Sequence, residues 1–304
     1  MSHWRIHAPA SSANLGPGFD VLGIAVNLGI TVELQDSPTG SFAIEVEGPG
    51  SDTLPLNRTH LIARVAQEIA GDALDHSSLK IVSTIPMARG LGSSAAAHAC
   101  GVVTGLVLRD NCSPDPAEVF QRLSDLEGHP DNAAACITGG FQAGAGGESG
   151  WSQSPLFIES EPRLLALIPA VPLPTRQARE ALPDQYPRSA IISNLGAMAA
   201  LISGLARGDW DAVEKGAIDQ LHQPFRLPLI PGLADALAAL QQATGVRGAW
   251  LSGAGPTLAG FLPDPQTGTE VATAAAKALE AAGTPCEVRI LEVNRVGLQV
   301  EKLA

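Results

Sequence analysis

Pro86-Met87-Ala88-Arg89-Gly90-Leu91-Gly92-Ser93-Ser94-Ala95-Ala96 is the stretch on which the reading of this chain turns. Before it, Leu79 to Ser83 reads as a short strand; after it, an alanine-rich helix runs to about Leu108. A helix start presents N–H groups without intrahelical partners and the positive end of the helix dipole, and both favour an anion such as phosphate. Gly90 and Gly92 allow positive φ and close backbone approach, while the Ser93 and Ser94 hydroxyls are available to phosphate oxygens or Mg²⁺. The same residues also suit a plainer part, with Ser94 capping a helix after a flexible turn. Two commoner nucleotide loops are excluded. There is no G-x-x-x-x-G-K-S/T, none of the lysines (Lys80, Lys215, Lys277, Lys302) lies in or next to a glycine cluster, and Gly90-Leu91-Gly92 continues as Ser93-Ser94-Ala95 instead of completing G-x-G-x-x-G.

Composition narrows the class. With 31 acidic against 19 basic side chains among 304 residues, the net charge of −12 argues against a nucleic-acid binder. At 45% hydrophobic and 16% charged, the chain has material for a substantial core and for one large domain or two of ordinary size. Met1 to His7 lacks a secretion signal, and the longest apolar run, Ala95 to Leu108, is too short to span a membrane and is broken by His98, Gly101 and Gly105. Cys100, Cys112, Cys136 and Cys286 show neither C-x-x-C spacing nor a nearby histidine pair. A soluble, reduced, cytoplasmic protein without membrane attachment is expected.

The opening is β-rich: Arg5 to Ala8, ended by Pro9, then a turn-rich run from Ala10 to Asp20, a strand over Val21 to Leu28, and further strand signals at Thr31–Leu34 and Phe42–Val46. The last alternates as a half-exposed antiparallel strand does. Helical spacing marks His60–Ile69, Asp115–Glu127, Ala190–Ala206, Asp209–Gln220, Leu233–Ala243 and a segment after Pro265. Leu164–Ile168, Gly248–Leu251 and Leu258–Phe261 read as strands, the latter two flanking Ser252-Gly253-Ala254-Gly255-Pro256-Thr257. Gly139-Gly140 and Gly144 to Gly150 form the most breaker-rich stretch, which puts the expected division at 1–150 and 151–304.

Pro86 to Ala96, as P-x-x-x-G-L-G-S-S-A-A, resembles the phosphate-binding motif of the GHMP kinases, small-molecule kinases named for galactose, homoserine, mevalonate and phosphomevalonate. Ala8 to Asp20 resembles the first motif of that family in the form homoserine kinases carry, and Ser252 to Thr257 resembles its third. Glu127-Gly128-His129-Pro130-Asp131-Asn132, Thr175-Arg176-Gln177-Ala178-Arg179 and His222-Gln223-Pro224-Phe225-Arg226 are similar to homoserine kinase segments, so the likeness covers nearly the whole chain. One departure is Ala133-Ala134-Ala135-Cys136, where many such kinases carry a valine and a proline. The resemblance implies an α+β fold of two domains, an amino-terminal mixed sheet with helices and a carboxy-terminal antiparallel sheet with helices, with ATP in the cleft.

It also implies roles. ATP would lie on Pro86, Met87, Ala88, Arg89, Gly90, Leu91, Gly92, Ser93, Ser94, Ala95 and Ala96, with Asn57 in the adenine lining and Ser94 and Glu127 as Mg²⁺ ligands. L-Homoserine carries a carboxylate that suits a guanidinium fork, and the resemblance nominates Arg179 and Arg226 for it. Asp20 is expected at the α-ammonium, Asn14 and His129 in the polar wall, and Thr175 at the reacting hydroxyl or as a helix cap. Asn132 is assigned to the transition state, with Asp131 as base or support, since a metaphosphate-like transition state demands little of the nucleophile. The implied reaction is ATP-dependent phosphorylation of L-homoserine in threonine biosynthesis; another small alcohol, or a nucleotide-binding regulator without turnover, is the alternative. Dimers are common among such kinases, which raises a homodimer.

Overall fold

The computed structural model describes residues 3–147, 150–264 and 272–303. It is an α+β molecule with two sheets. The larger holds β1 (His3–Asn14), β2 (Gly18–Asp36), β3 (Ala43–Glu47), β4 (Ser77–Ser83), β5 (Phe141–Gly147), β6 (Gly150–Pro155) and β11 (Gln299–Leu303), in the order β11-β1-β2-β4-β3, with the β5–β6 hairpin attached to the first part of β2. The smaller is antiparallel, β10 (Cys286–Leu291), β7 (Arg163–Pro169), β9 (Leu258–Leu262), β8 (Arg247–Leu251). The helices are α1 (Leu61–Ala70), α2 (Ser93–Asp110), α3 (Pro116–Glu127), α4 (Asp131–Thr138), α5 (Thr175–Glu180), α6 (Arg188–Arg207), α7 (Trp210–Gly216), α8 (Gln223–Arg226), α9 (Leu233–Gln241) and α10 (Thr273–Ala281).

Several local expectations are corrected. β1 does not stop at Pro9 but runs to Asn14, because the ladder shifts register between Pro9 and Ala10, where a missing N–H costs least. β2 is one strand of 19 residues. β3 pairs with β4 in parallel; alternation reports which face is buried and not the strand direction. A cut at residue 150 does not follow the sheets, since β6 and β11 both belong to the larger one. Met1, Ser2 and Pro265 lie outside the described residues, as do 148 and 149 within the breaker-rich stretch.

The elements that carry the site have clear local causes. In α3, Asp115 accepts from Ala117 N, Pro116 opens the helix, and Gly128 closes it in the left-handed region, which fixes Glu127 as the last helical residue. The main core joins both sheets: Trp250 and Phe261, fully buried, stand 4.7 Å apart among residues of β1 and β2. By length and composition α6 is apolar enough to cross a membrane, yet its buried Asn194 donates to Pro17 O and accepts from Gln220 N, tying the helix to the site loops.

Candidate active site

A cavity of about 330 Å³ is lined by the glycine-rich loop before α2, by an apolar wall including Ile30, Val46, Leu54, Ile62 and Ile81, and by a polar end including Asp20, His129, Asp131, Arg179 and Arg226. The three glycine-rich motifs meet beside it. Ser11 N donates to Leu91 O, Ser252 Oγ donates to Gly90 O at 2.7 Å, and the Ser12 and Ser252 hydroxyls lie 2.8 Å apart. Close packing fixes two glycines. A Cβ on Gly90 (φ +73°) would stand 2.2 Å from Ser252 O, and one on Gly92 (φ +68°) would stand 2.2 Å from Ser11 Oγ and 3.2 Å from Asn132 Oδ1. Gly92 precedes α2, so the first N–H groups of that helix open beside the loop. Ser94 does not cap: its hydroxyl donates to Glu127 Oε1 at 3.0 Å.

Within the loop the predicted residues divide. Met87, Ala88, Arg89, Gly90, Gly92, Ser93, Ser94 and Ala95 line the cavity. The side chains of Leu91 and Ala96 are buried in the core instead. Arg89 spends its guanidinium on the carbonyls of Pro169, Met87 and Ala170, which makes it a brace between the loop and β7. Asn57 is not in the cavity wall; its Oδ1 accepts from Thr59 N and Oγ1 in its own exposed turn. The wall comes from the neighbours Leu54, His60, Leu61 and Ile62.

The polar end brings together the side chains predicted for it. Asp20 and Arg179 form a two-bond pair at 2.9 and 3.1 Å. Burial works against the Arg179 charge, but the hydrogen bonds and charge of Asp20 outweigh it and raise its pKa. Arg226, only 2% exposed, donates from Nε to Ala178 O and from Nη1 to Gly253 O, while its Nη2 has no acceptor among the described residues. Burial, with Arg179 nearby, lowers its pKa to about 10, so it stays cationic at neutral pH. Phe19 lies under both guanidiniums, 5.0 Å from Arg226 and 5.9 Å from Arg179. Behind Arg226, buried His222 donates from Nε2 to Gly16 O, its unprotonated Nδ1 faces Arg226 at 3.4 Å, and burial holds its pKa below the usual range.

Acceptors for a cation lie opposite. Ligand atoms of Asp20, His129 and Asp131 lie within 4.8 Å of one another. Asp131 Oδ1 accepts from His129 Nδ1 at 2.5 Å and from Asn132 N and Nδ2, while Asn132 Oδ1 accepts from Ser11 Oγ at 2.8 Å. For His129, burial opposes protonation, yet the Asp131 bond and the charges of Asp131 and Asp20 raise its pKa overall. Asn14 uses its amide as a joint, from Nδ2 to Gly253 O and with Oδ1 accepting from Asp20 N. Positive φ at Asn14, Leu15 and Asp20 shows how tightly this turn is constrained. Thr175 lines the cavity as the first residue of α5 and makes neither a cap nor another side-chain hydrogen bond with the described residues. Sequence alone gives no functional role to Ser11 or to His98, which donates to Glu127; Ser11 sits inside the first motif, and His98 is a polar ring one turn beyond Ser94 in an apolar helix.

Comparison with known proteins agrees with this geometry. The model of the GHMP kinases N terminal domain matches residues 59–140 and that of the GHMP kinases C terminal region matches 191–281. A homoserine kinase of Moorella thermoacetica is 37% identical over 292 residues, 94% of this chain and 96% of that protein. One from Synechocystis is 33% identical over 100% of both chains. The crystal structure of homoserine kinase from Cytophaga hutchinsonii superposes with a TM-score of 0.83 at 26% identity, covering 98% of this chain and 97% of that one. The chain belongs to the homoserine kinase family of the GHMP kinases, enzymes that use ATP.

Proposed function

We propose that this enzyme transfers the γ-phosphoryl group of ATP to the side-chain hydroxyl of L-homoserine, giving O-phospho-L-homoserine for threonine synthesis in the cytoplasm. The observation that carries the choice of substrate is the polar end: open Nη2 of Arg226 against the carboxylate oxygens of Asp20 and Asp131, a layout complementary to a zwitterion. A sugar or terpenoid alcohol has no use for the buried guanidinium.

In this reading the backbone N–H groups at the start of α2 hold the phosphates. Glu127 and Ser94 offer oxygen donors, and because the Ser94 hydrogen is directed at Glu127 its lone pairs remain available, a donor set that fits Mg²⁺. The cation neutralises phosphate charge when bound. Arg226, with Arg179, binds the carboxylate, Asp20 takes the ammonium, and Asn14 and His129 complete the polar wall. Asn132, fixed by Ser11 and Asp131, stands at the transferring group. The Asp131 Oδ1 already accepts three bonds, which supports a positioning role over that of base. Thr175 contacts the acceptor hydroxyl. The adenine ring fits the apolar wall around Leu54 and Ile62. A homodimer belongs to the same reading, and exposed Ile191, Ile192 and Leu195 on α6 support it.

The test is a coupled ADP-release assay with Mg²⁺ and ATP, comparing L-homoserine with L-threonine, L-serine, mevalonate and galactose. Preferential turnover of homoserine is expected. Preference for another alcohol would replace the substrate, and no turnover with any would favour a regulator.

A further inference from the structure

Glu127 ends α3, where a carboxylate meets the negative end of the helix dipole and gains nothing from its own helix. What holds it comes from α2. Ser94 and His98 stand one turn apart on one face of that helix, and both donate to the same oxygen, Glu127 Oε1, the hydroxyl at 3.0 Å and His98 Nδ1 at 2.5 Å. The His98 side chain is 13% exposed and that of Glu127 10%, so water competes weakly for these bonds. No described residue donates to Oε2. Glu127 and Ser94 line the cavity and His98 does not, so the imidazole acts on the cavity only through the carboxylate.

A glutamate has three side-chain torsions, and each unlocked rotamer dilutes the arrangement that binds a cation. We propose that His98 is a positioning residue for the cation site: its Nδ1–H pins Oε1, so that Glu127 and Ser94 present their open oxygens together before nucleotide arrives. This rests on the kinase reading above. A ring donor behind a metal-binding carboxylate is how outer partners orient ligands elsewhere. The rest of α2 at this level is alanine and cysteine, which offer the carboxylate no comparable donor.

Two substitutions in the full chain separate positioning from general support. His98→Leu removes the donor at similar bulk; His98→Asn keeps an N–H at the position of Nδ1, and His98→Ala replaces the Leu variant should that one fail to fold. Mn²⁺ binding in the presence of a non-hydrolysable ATP analogue, followed by electron paramagnetic resonance, is measured beside the Mg²⁺ dependence of turnover. The apolar variant is expected to weaken Mn²⁺ binding about tenfold or more and to raise the Mg²⁺ requirement in step. Its KM for homoserine and its melting temperature should stay near wild type, and His98→Asn should restore most of the loss. Unchanged Mn²⁺ affinity in the apolar variant overturns the proposal, as does an equal loss in His98→Asn with the fold intact. Absence of turnover in wild type itself would instead overturn the kinase reading.

Discussion

At one end of the cavity lies a single unbroken stretch, Gly90 to Ala95, whose backbone N–H groups hold phosphate in the proposed function, whereas the opposite end gathers Asp20 from β2, Asp131 from α4, Arg179 from α5 and Arg226 from α8. The first is held by close approach: Gly90 against Ser252, Gly92 against Ser11. The second is held by charge, with a two-bond Asp20–Arg179 pair and a buried Arg226 whose neighbours are carbonyls and a neutral imidazole. The two ends should therefore break differently, one through any added atom and the other through any lost charge.

Arg226→Met gives the largest expected effect. Removing a buried charge that meets a carboxylate costs about 2–4 kcal/mol, roughly 30- to 1,000-fold in kcat/KM for homoserine, with KM for ATP nearly unchanged. An equal loss on the ATP side would erase the distinction between the ends. Gly90→Ala should act in the opposite way. Its Cβ has no room beside Ser252 O, and left-handed backbone alone costs an alanine about 1–2 kcal/mol. A lower melting temperature and a raised KM for ATP are predicted.

Asp131→Asn sharpens the roles inside the polar end. As a support it should raise KM for homoserine and lower kcat by less than about tenfold; a fall of about 10²- to 10⁴-fold in kcat would make it the base. The smallest effect is on pH dependence. His222 is buried and neutral with a lowered pKa, so its contribution to stability is present above about pH 6.5 and is lost as pH falls through the lower folded value. His129 has the opposite sign: its raised pKa gives stability below about pH 6.5 that is lost as pH rises through the folded value. Thermal melts from pH 5 to 8 should show His222→Gln flattening the acid limb and His129→Asn the alkaline one.

The same contrast explains what the sequence made legible. Gly90 to Ser94 is contiguous, its helix follows at once, and its chemistry is that of any helix start, so residue types alone offer phosphate binding beside a plain helix cap, and the family motif decides between them. Arg179 and Arg226 look like surface charges until the smaller sheet and its helices bring them to Phe19. Only the likeness of whole segments nominated them. Asn57 stands outside the cavity wall because the lining is set by which residues of a loop turn inward, and two positions separate exposed Leu56 from Leu54 in the wall. α4 escaped notice because its alanines carry no period, and the return of β11 to β1 pairs the chain's two ends, which no local pattern reports. His98 marked itself only as a polar interruption of an apolar run.

The most direct test compares L-homoserine with 3-aminopropan-1-ol, the same amino alcohol without its carboxylate, in wild type and in Arg226→Ala. Wild type is expected to prefer homoserine by about 30-fold or more in kcat/KM, and the variant to lose most of this preference, its residual activity on the amino alcohol being little changed. Equal losses on both substrates, or a wild-type enzyme indifferent to the carboxylate, would contradict this expectation.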